Sequence, residues 1–168
     1  VKLEAVWQDI DHNLLDSKRS AANVMRLLLT ARFRSVVGFR LAQWLGSSKL
    51  GVLADVVKQI NQSMTGADIA WQSAVEPGLI LFHPVGVVIG PDCTIGRNAI
   101  IQQGVTIGGR GDGGGPTIGD DVFIGAGAKI LGSVVLGRDV VIGANAVVVR
   151  DVPAGKTAMG VPARWSSS

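Results

Sequence analysis

Tyrosine is absent from this chain, and its 168 residues include one cysteine and two histidines. A single thiol excludes an internal disulfide framework and suits a reducing, cytoplasmic compartment. Cys93 itself reads as a small buried hydrophobe. Two histidines are too few for a three-histidine zinc site, and no metal is expected. Long apolar runs are also missing. Arg26, Arg32, Arg34 and Arg40 interrupt the most apolar segment, so neither a transmembrane helix nor a signal peptide is expected. Strong charge of one sign is missing too, with a net charge of +3, and no nucleic-acid partner is expected. The small basic excess lies in residues 1–65, which carry nine Lys/Arg against five Asp/Glu. It reads as a solvated helix face, with peripheral contact to an anionic membrane surface as the alternative.

What the chain does have is glycine, 23 residues of it, among many Val, Ile and Leu. That mixture suggests short strands joined by tight corners. The segment 1–65 has helical texture instead. In the run "AANVMRLLLTARFRSVVGFRLAQWLGS", Phe33, Val36, Val37, Leu41, Trp44 and Leu45 recur at spacings of three and four, which predicts one apolar helix face. Gly46 reads as its stop, and a shorter helix is expected over Gly51 to Ser63. These helices are too few for a core of their own and are expected to pack on the rest of the chain or on copies of themselves. His12 lies among them, outside any motif, and reads as a surface residue.

From residue 66 the period becomes six. Ile89-Gly90, Ile95-Gly96, Ile107-Gly108, Ile118-Gly119, Ile124-Gly125, Leu136-Gly137 and Ile142-Gly143 share one phase, and Ile101, Ile130 and Val148 keep the apolar position without the glycine. An aliphatic residue every sixth place points inward once per flat face, and the small residue after it permits the corner. Three units make a triangular coil of about 18 residues, and coils must stack because none can bury its aliphatic residues alone. The expected fold is therefore mainly β, a parallel β-helix of hexapeptide repeats over 66–164 behind a short α-helical segment, with 165–168 as a disordered or truncated tail. Two places break the phase. Two extra residues fall between Leu81 and Ile89, around His83, and five between Ile107 and Ile118, in "GRGDGGGPT". Insertions in a solenoid emerge as loops, often on the binding face, so both breaks are expected to mark one functional edge.

The segments "TGADI", "GVVIG", "QGVTIGG", "IGAGAKILG", "LGRDVVIGANAVVV" and "GVPAR" resemble the left-handed β-helix acetyltransferases, in the branch of the serine O-acetyltransferases and their relatives. The resemblance covers roughly 64–164 and, more loosely, the helical start. It implies a homotrimer, open to pairing of trimers through the N-terminal helices, with acetyl-CoA bound in the groove between adjacent β-helices. By position in the motif, His83 is the implied general base on an acceptor hydroxyl, a task that suits an imidazole. The implied cofactor contacts fall on Gly109, Ala126 and Ala144, with Lys156 and Arg164 as candidate phosphate partners. An oxyanion donor is expected in the turn Gly108–Gly109.

The chain departs from the serine acetyltransferase pattern in two ways. Phe82 stands where an Asp precedes the base, so Asp68 or a backbone carbonyl must orient His83. The loop after Gly109 lacks that pattern's Arg-His element. Both losses remove partners for an amino acid's charged groups. The expected acceptor is therefore a hydroxyl of a saccharide or surface-polysaccharide precursor, free or lipid-linked. Trp71, Phe82, Arg110 and Asp112 are its candidate contacts, with Trp71 suited to stacking on a sugar ring. Serine, a sugar amine and a non-catalytic trimeric scaffold stand as alternatives. A sugar nucleotidyltransferase does not, because 65 helical residues cannot supply its nucleotide-binding domain.

Overall fold

Each six-residue unit supplies a strand of two or three residues whose aliphatic side chain is buried and whose predecessor faces outward. The computed structural model describes residues 3–15, 20–111 and 113–165. Among them, parallel pairing stacks the strands into three faces. Face A holds β1 (Asp68–Ile69), β4 (Val88–Ile89), β7 (Thr106–Gly108), β10 (Lys129–Leu131) and β13 (Val147–Val148). Face B holds β2 (Ala74–Val75), β5 (Thr94–Ile95), β8 (Thr117–Ile118) and β11 (Val135–Leu136). Face C holds β3 (Ile80–Phe82), β6 (Ile100–Gln102), β9 (Phe123–Ile124), β12 (Val141–Ile142) and β14 (Thr157–Ala158). The chain is a left-handed parallel β-helix.

The phase breaks are visible in the register. Along face A, Ile69, Ile89, Ile107, Ile130 and Val148 stack at spacings of 20, 18, 23 and 18 residues. The coils of 20 and 23 contain the two breaks. The inward columns are closed to solvent from end to end, including Ile95 and Ile118 on face B and Ile101, Ile124 and Ile142 on face C. Cys93 shares this core, and burial, aided by the charge of Asp92, pushes its thiol up to about 11. It is therefore protonated at neutral pH and no nucleophile. Trp165, expected in the tail, packs against the core instead, and 166–168 lie outside the described residues.

The helical segment comprises α1 (Leu3–Leu14), α2 (Ala21–Leu28), α3 (Ala31–Ser47) and α4 (Gly51–Thr65). The single run expected across α2 and α3 is broken at Thr30. Its hydroxyl donates to the Leu27 carbonyl at 2.7 Å and accepts from the Phe33 N–H at 3.3 Å, capping α3. The expected apolar stripe splits. Phe33 and Val36 are buried, whereas Val37, Leu41 and Trp44 are exposed, and Phe39 and Ala42 take the inner face instead. Gly46 is no helix stop. It lies inside α3, where a Cβ would sit 2.3 Å from the ring of Trp71, so only glycine admits that ring. α4 runs two residues past Ser63 and ends at Gly66, whose φ of +77° makes the left-handed cap.

The helices cover the first coil. Val36 and Phe39 join the β-helix core, as the lack of an independent helical core requires. A buried polar clamp fixes the same contact. Asp9 accepts from Arg40 Nε at 2.8 Å and from the Gly78 and Leu79 N–H groups at 2.7 and 3.2 Å. Arg40 also donates to the Val75 and Glu76 carbonyls, at 2.6 and 2.9 Å. His12, expected on the surface, is part of this clamp and donates through Nδ1 to the Gly78 carbonyl.

Candidate active site

The corner where face C turns into face A is built from a repeated pair of residues. The Val85, Gln103 and Ala126 carbonyls accept from the N–H groups of Gly104, Gly127 and Asn145 at 3.0, 2.8 and 2.8 Å. This ladder aligns Val85, Gln103, Ala126 and Ala144 in one column, and the extra residues of the first break, His83 and Pro84, stand just before its first member. Pro84 is buried and His83 is exposed in the left-handed region, at φ +54°. Asn98, Asp121, Asp139 and Asn145 take the same conformation at other corners, so it is the break in the repeat, and not the turn, that sets His83 apart. The column beside it needs small residues. Gly127 has φ +72°, and a Cβ there would lie 2.1 Å from Asn145 Oδ1. His83, Ala126 and Ala144 thus share one edge, with Gln103 between the histidine and the two alanines.

The second break lies elsewhere. Residues 109–116 leave the edge where face A turns into face B, between β7 and β8. The expectation that both breaks mark one edge of the chain is corrected: they flank face A on opposite sides. Gly109, whose Cβ would meet the Gly114 carbonyl oxygen at 2.6 Å, belongs to this other edge. So does Arg110, whose side chain lies over Gly132. Asp112 lies outside the described residues. Trp71 also sits on this side of the first coil, where its indole N–H donates to Asp55 at 2.8 Å and its ring packs on Gly46. Within one chain it does not approach His83.

Asp68 begins β1 on face A and pairs with Lys58 of α4 at 2.5 Å. Phe82, the residue before His83, lies beneath the Arg32 guanidinium, whose carbon is 5.1 Å from the ring centroid. Nothing in the sequence pattern points to this partner, because Arg32 belongs to the helical segment and to no motif. Arg164 closes a turn with Met159 through two backbone bonds of 3.0 and 2.9 Å, and its neighbour Ala163 donates to the Val147 carbonyl at 2.8 Å. The "GVPAR" segment therefore extends face A beyond β13. Val149, Arg150 and Pro162 to Trp165 border a cleft of about 230 Å³ there. Lys156 is half-buried just before β14.

Two family models match the repeats: the bacterial transferase hexapeptide over residues 115–150 and the hexapeptide repeat of succinyl-transferase over 86–110. Across most of its length the chain is similar to serine acetyltransferases. It is 37% identical over 161 residues to that of Bacillus subtilis, covering 94% of this chain and 74% of the relative. It is 38% identical over 149 residues to that of Synechococcus elongatus, covering 86% of this chain and 61% of the relative. The chain thus spans about three fifths to three quarters of these relatives. Among solved structures, soybean serine acetyltransferase complexed with serine matches with a TM-score of 0.88 and 33% identity, over 97% of this chain and 68% of that one. The Brucella abortus enzyme in complex with coenzyme A matches with a TM-score of 0.88 and 32% identity, over 96% and 66%. The chain belongs to the hexapeptide-repeat serine acetyltransferase family.

This likeness overturns the expected saccharide acceptor. That expectation rested on two local departures, Phe82 and the histidine-free loop, whereas the likeness to serine acetyltransferases runs through the helical segment as well as the β-helix. Polysaccharide biosynthesis has no support in these relatives.

Proposed function

We propose that this chain transfers the acetyl group of acetyl-CoA to the side-chain hydroxyl of serine, with His83 as the general base. The supporting observation is the shared edge: an exposed imidazole at the first break in the repeat stands on the same edge as the small residues Ala126 and Ala144, within a fold whose relatives are named for this reaction. In the step itself, the serine oxygen attacks the thioester carbonyl as His83 takes its proton. The C–S bond then breaks and the coenzyme thiolate recovers that proton. Ala126 and Ala144 leave room for the pantetheine arm to lie along the main chain, and Lys156 and Arg164 serve its phosphate end. An oxyanion donor at Gly108–Gly109 belongs to the opposite edge, which gives the homotrimer a role. Three β-helices with face A turned to a common axis bring the loop edge of one copy against the His83 edge of the next. The exposed residues Val37, Leu41 and Trp44 of α3 offer the surface for pairing two such trimers. With a cytosolic donor and a single reduced thiol, we place the protein in the cytoplasm.

The test is thiol release from acetyl-CoA with serine, comparing the wild type with His83→Ala. Loss of about 10²- to 10⁴-fold in kcat, with an unchanged melting temperature, is expected. Equal rates in the two proteins would remove His83 from the reaction, and no turnover of serine by the wild type would refute the acceptor.

A further inference from the structure

An amino-acid acceptor brings a carboxylate and an ammonium to the site, and the residues that would meet them in the serine acetyltransferase pattern are absent at Phe82 and in the loop after Gly109. Groups of the required chemistry stand on the helical segment instead. Arg32 stacks its guanidinium on Phe82, the neighbour of His83. Stacking occupies the face of a guanidinium and leaves its edge N–H groups for planar anions. One of them, on Nη2, donates to the Asn13 carbonyl at 2.7 Å. Beside it α1, α2 and α3 enclose a cleft of about 260 Å³ lined by Asn13, Asn23, Arg26, Thr30 and Arg32 among others. None of the described lining residues is acidic, and α3 starts at this cleft, with the positive end of its dipole toward it. Burial lowers the pKa of Arg32 from its ordinary value.

A second observation is independent of these charges. Asn13 is wholly buried. Its Nδ2 donates to the Asp9 and Leu79 carbonyls at 2.8 and 2.9 Å, which fixes the amide's orientation. Its Oδ1 has no partner. A buried acceptor without a donor is costly, and the wall of a cleft is where a ligand can supply one.

We propose that this cleft holds the head group of the amino-acid acceptor: Arg32, seconded by Arg26, binds the α-carboxylate, and Asn13 Oδ1 accepts from the α-ammonium. Only Cβ and Cα separate the serine hydroxyl oxygen from its carboxylate, so the carboxylate partner must lie close to the base. Arg32, stacked on the residue next to His83, is the cation of the helical segment that stands nearest to that position in the contacts of the fold. The carboxylate clamp is thereby carried by helices of the first coil rather than by the loop after face A. This inference rests on the serine reading above.

Steady-state rates with serine and with ethanolamine, which keeps the hydroxyl and amine but lacks the carboxylate, test it. The wild type is expected to prefer serine. Arg32→Gln is expected to raise the KM for serine by about ten- to a hundredfold and to leave the KM values for ethanolamine and acetyl-CoA unchanged, so that the preference collapses. Arg32→Lys should recover part of it, because a point charge replaces a fork. If Arg32→Gln lowers the rate with both acceptors alike, the residue only props Phe82 and the proposal falls. Should that variant fail to fold, Arg26→Gln on the exposed side of α2 must still raise the serine KM by about two- to fivefold, and no change there would overturn the site. A wild type that acetylates serine beside an unaffected Arg32→Gln refutes this site alone, whereas a wild type inert toward serine refutes the reading beneath it as well.

Discussion

Ile124 on the β-helix and Asp9 on the helical segment are both sealed from water, and each secures its region by a different kind of interaction. Ile124 is one member of a column, stacked between Ile101 and Ile142, and every coil repeats the contact. Asp9 has no counterpart among the described residues. It alone gathers the Arg40 guanidinium and two backbone N–H groups of the corner before β3. Stability in the β-helix is distributed over many equal dispersion and burial contacts. Attachment of the helices is concentrated in one polar clamp whose members depend on each other. The difference bears on function, because β3 leads from that clamp to Phe82 and His83, and the cleft proposed for the acceptor is walled by the clamp's own helices.

The sharpest way to break this contrast is Asp9→Ala. It leaves the Arg40 charge buried and two N–H groups unpaired, and removal of one partner from a buried ion pair costs about 3–5 kcal/mol. Because the clamp is local, the loss is expected to free the helices before the coils. Hydrogen exchange should quicken at 75–79 and in α1 and α3 while β9 and β12 stay protected. Uniform loss of protection over both regions would show that the helices and coils unfold as one unit.

Ile124→Ala is the matching cut in the column. A fully buried Ile→Ala change costs about 2–5 kcal/mol, and the stacked neighbours cannot collapse into the gap because their backbones are tied by the ladder. The melting temperature of the whole protein is expected to fall, with protection lost in the adjacent coils and the helical contact at β3 retained. A smaller change than Ile→Val elsewhere in the column would mean that the stack can repack.

This contrast also decides what was legible in the sequence. The β-helix was readable because one physical requirement, an inward aliphatic residue per face, repeats every six positions, so Ile95, Ile124 and Ile142 announce their neighbours. The place of His83 at a corner was readable because it interrupts that rhythm. The sides of the two breaks were not: the count of extra residues says that a loop exists, while its edge depends on which face the preceding strand occupies. The helical clamp was illegible for a related reason. Asp9, His12, Asn13 and Arg40 obey no period, and their partners are backbone groups some 30 to 70 positions away. Gly46 shows the same limit. Its glycine answers to the ring of Trp71, a contact that no local pattern encodes. The saccharide acceptor was expected on two absent motif residues, and a local departure of that kind weighs less than a likeness that runs through 94% of the chain.

The smallest expected effect lies where the two regions meet a second time, at Lys58 of α4 and Asp68 of β1. The pair is short, at 2.5 Å, yet both side chains are about a third exposed, so solvent and salt screen it. Lys58→Met is expected to cost no more than about 1 kcal/mol of stability and to leave kcat unchanged. Asp68→Asn removes the same ion pair and should cost about as little, but it also withdraws the carboxylate that stands one coil below the turn carrying His83. A fall in kcat in Asp68→Asn without a matching fall in Lys58→Met would assign Asp68 to orienting the imidazole. Equal and slight effects in both would leave the pair as a tether between helix and coil, and a backbone carbonyl would then have to set the tautomer of His83.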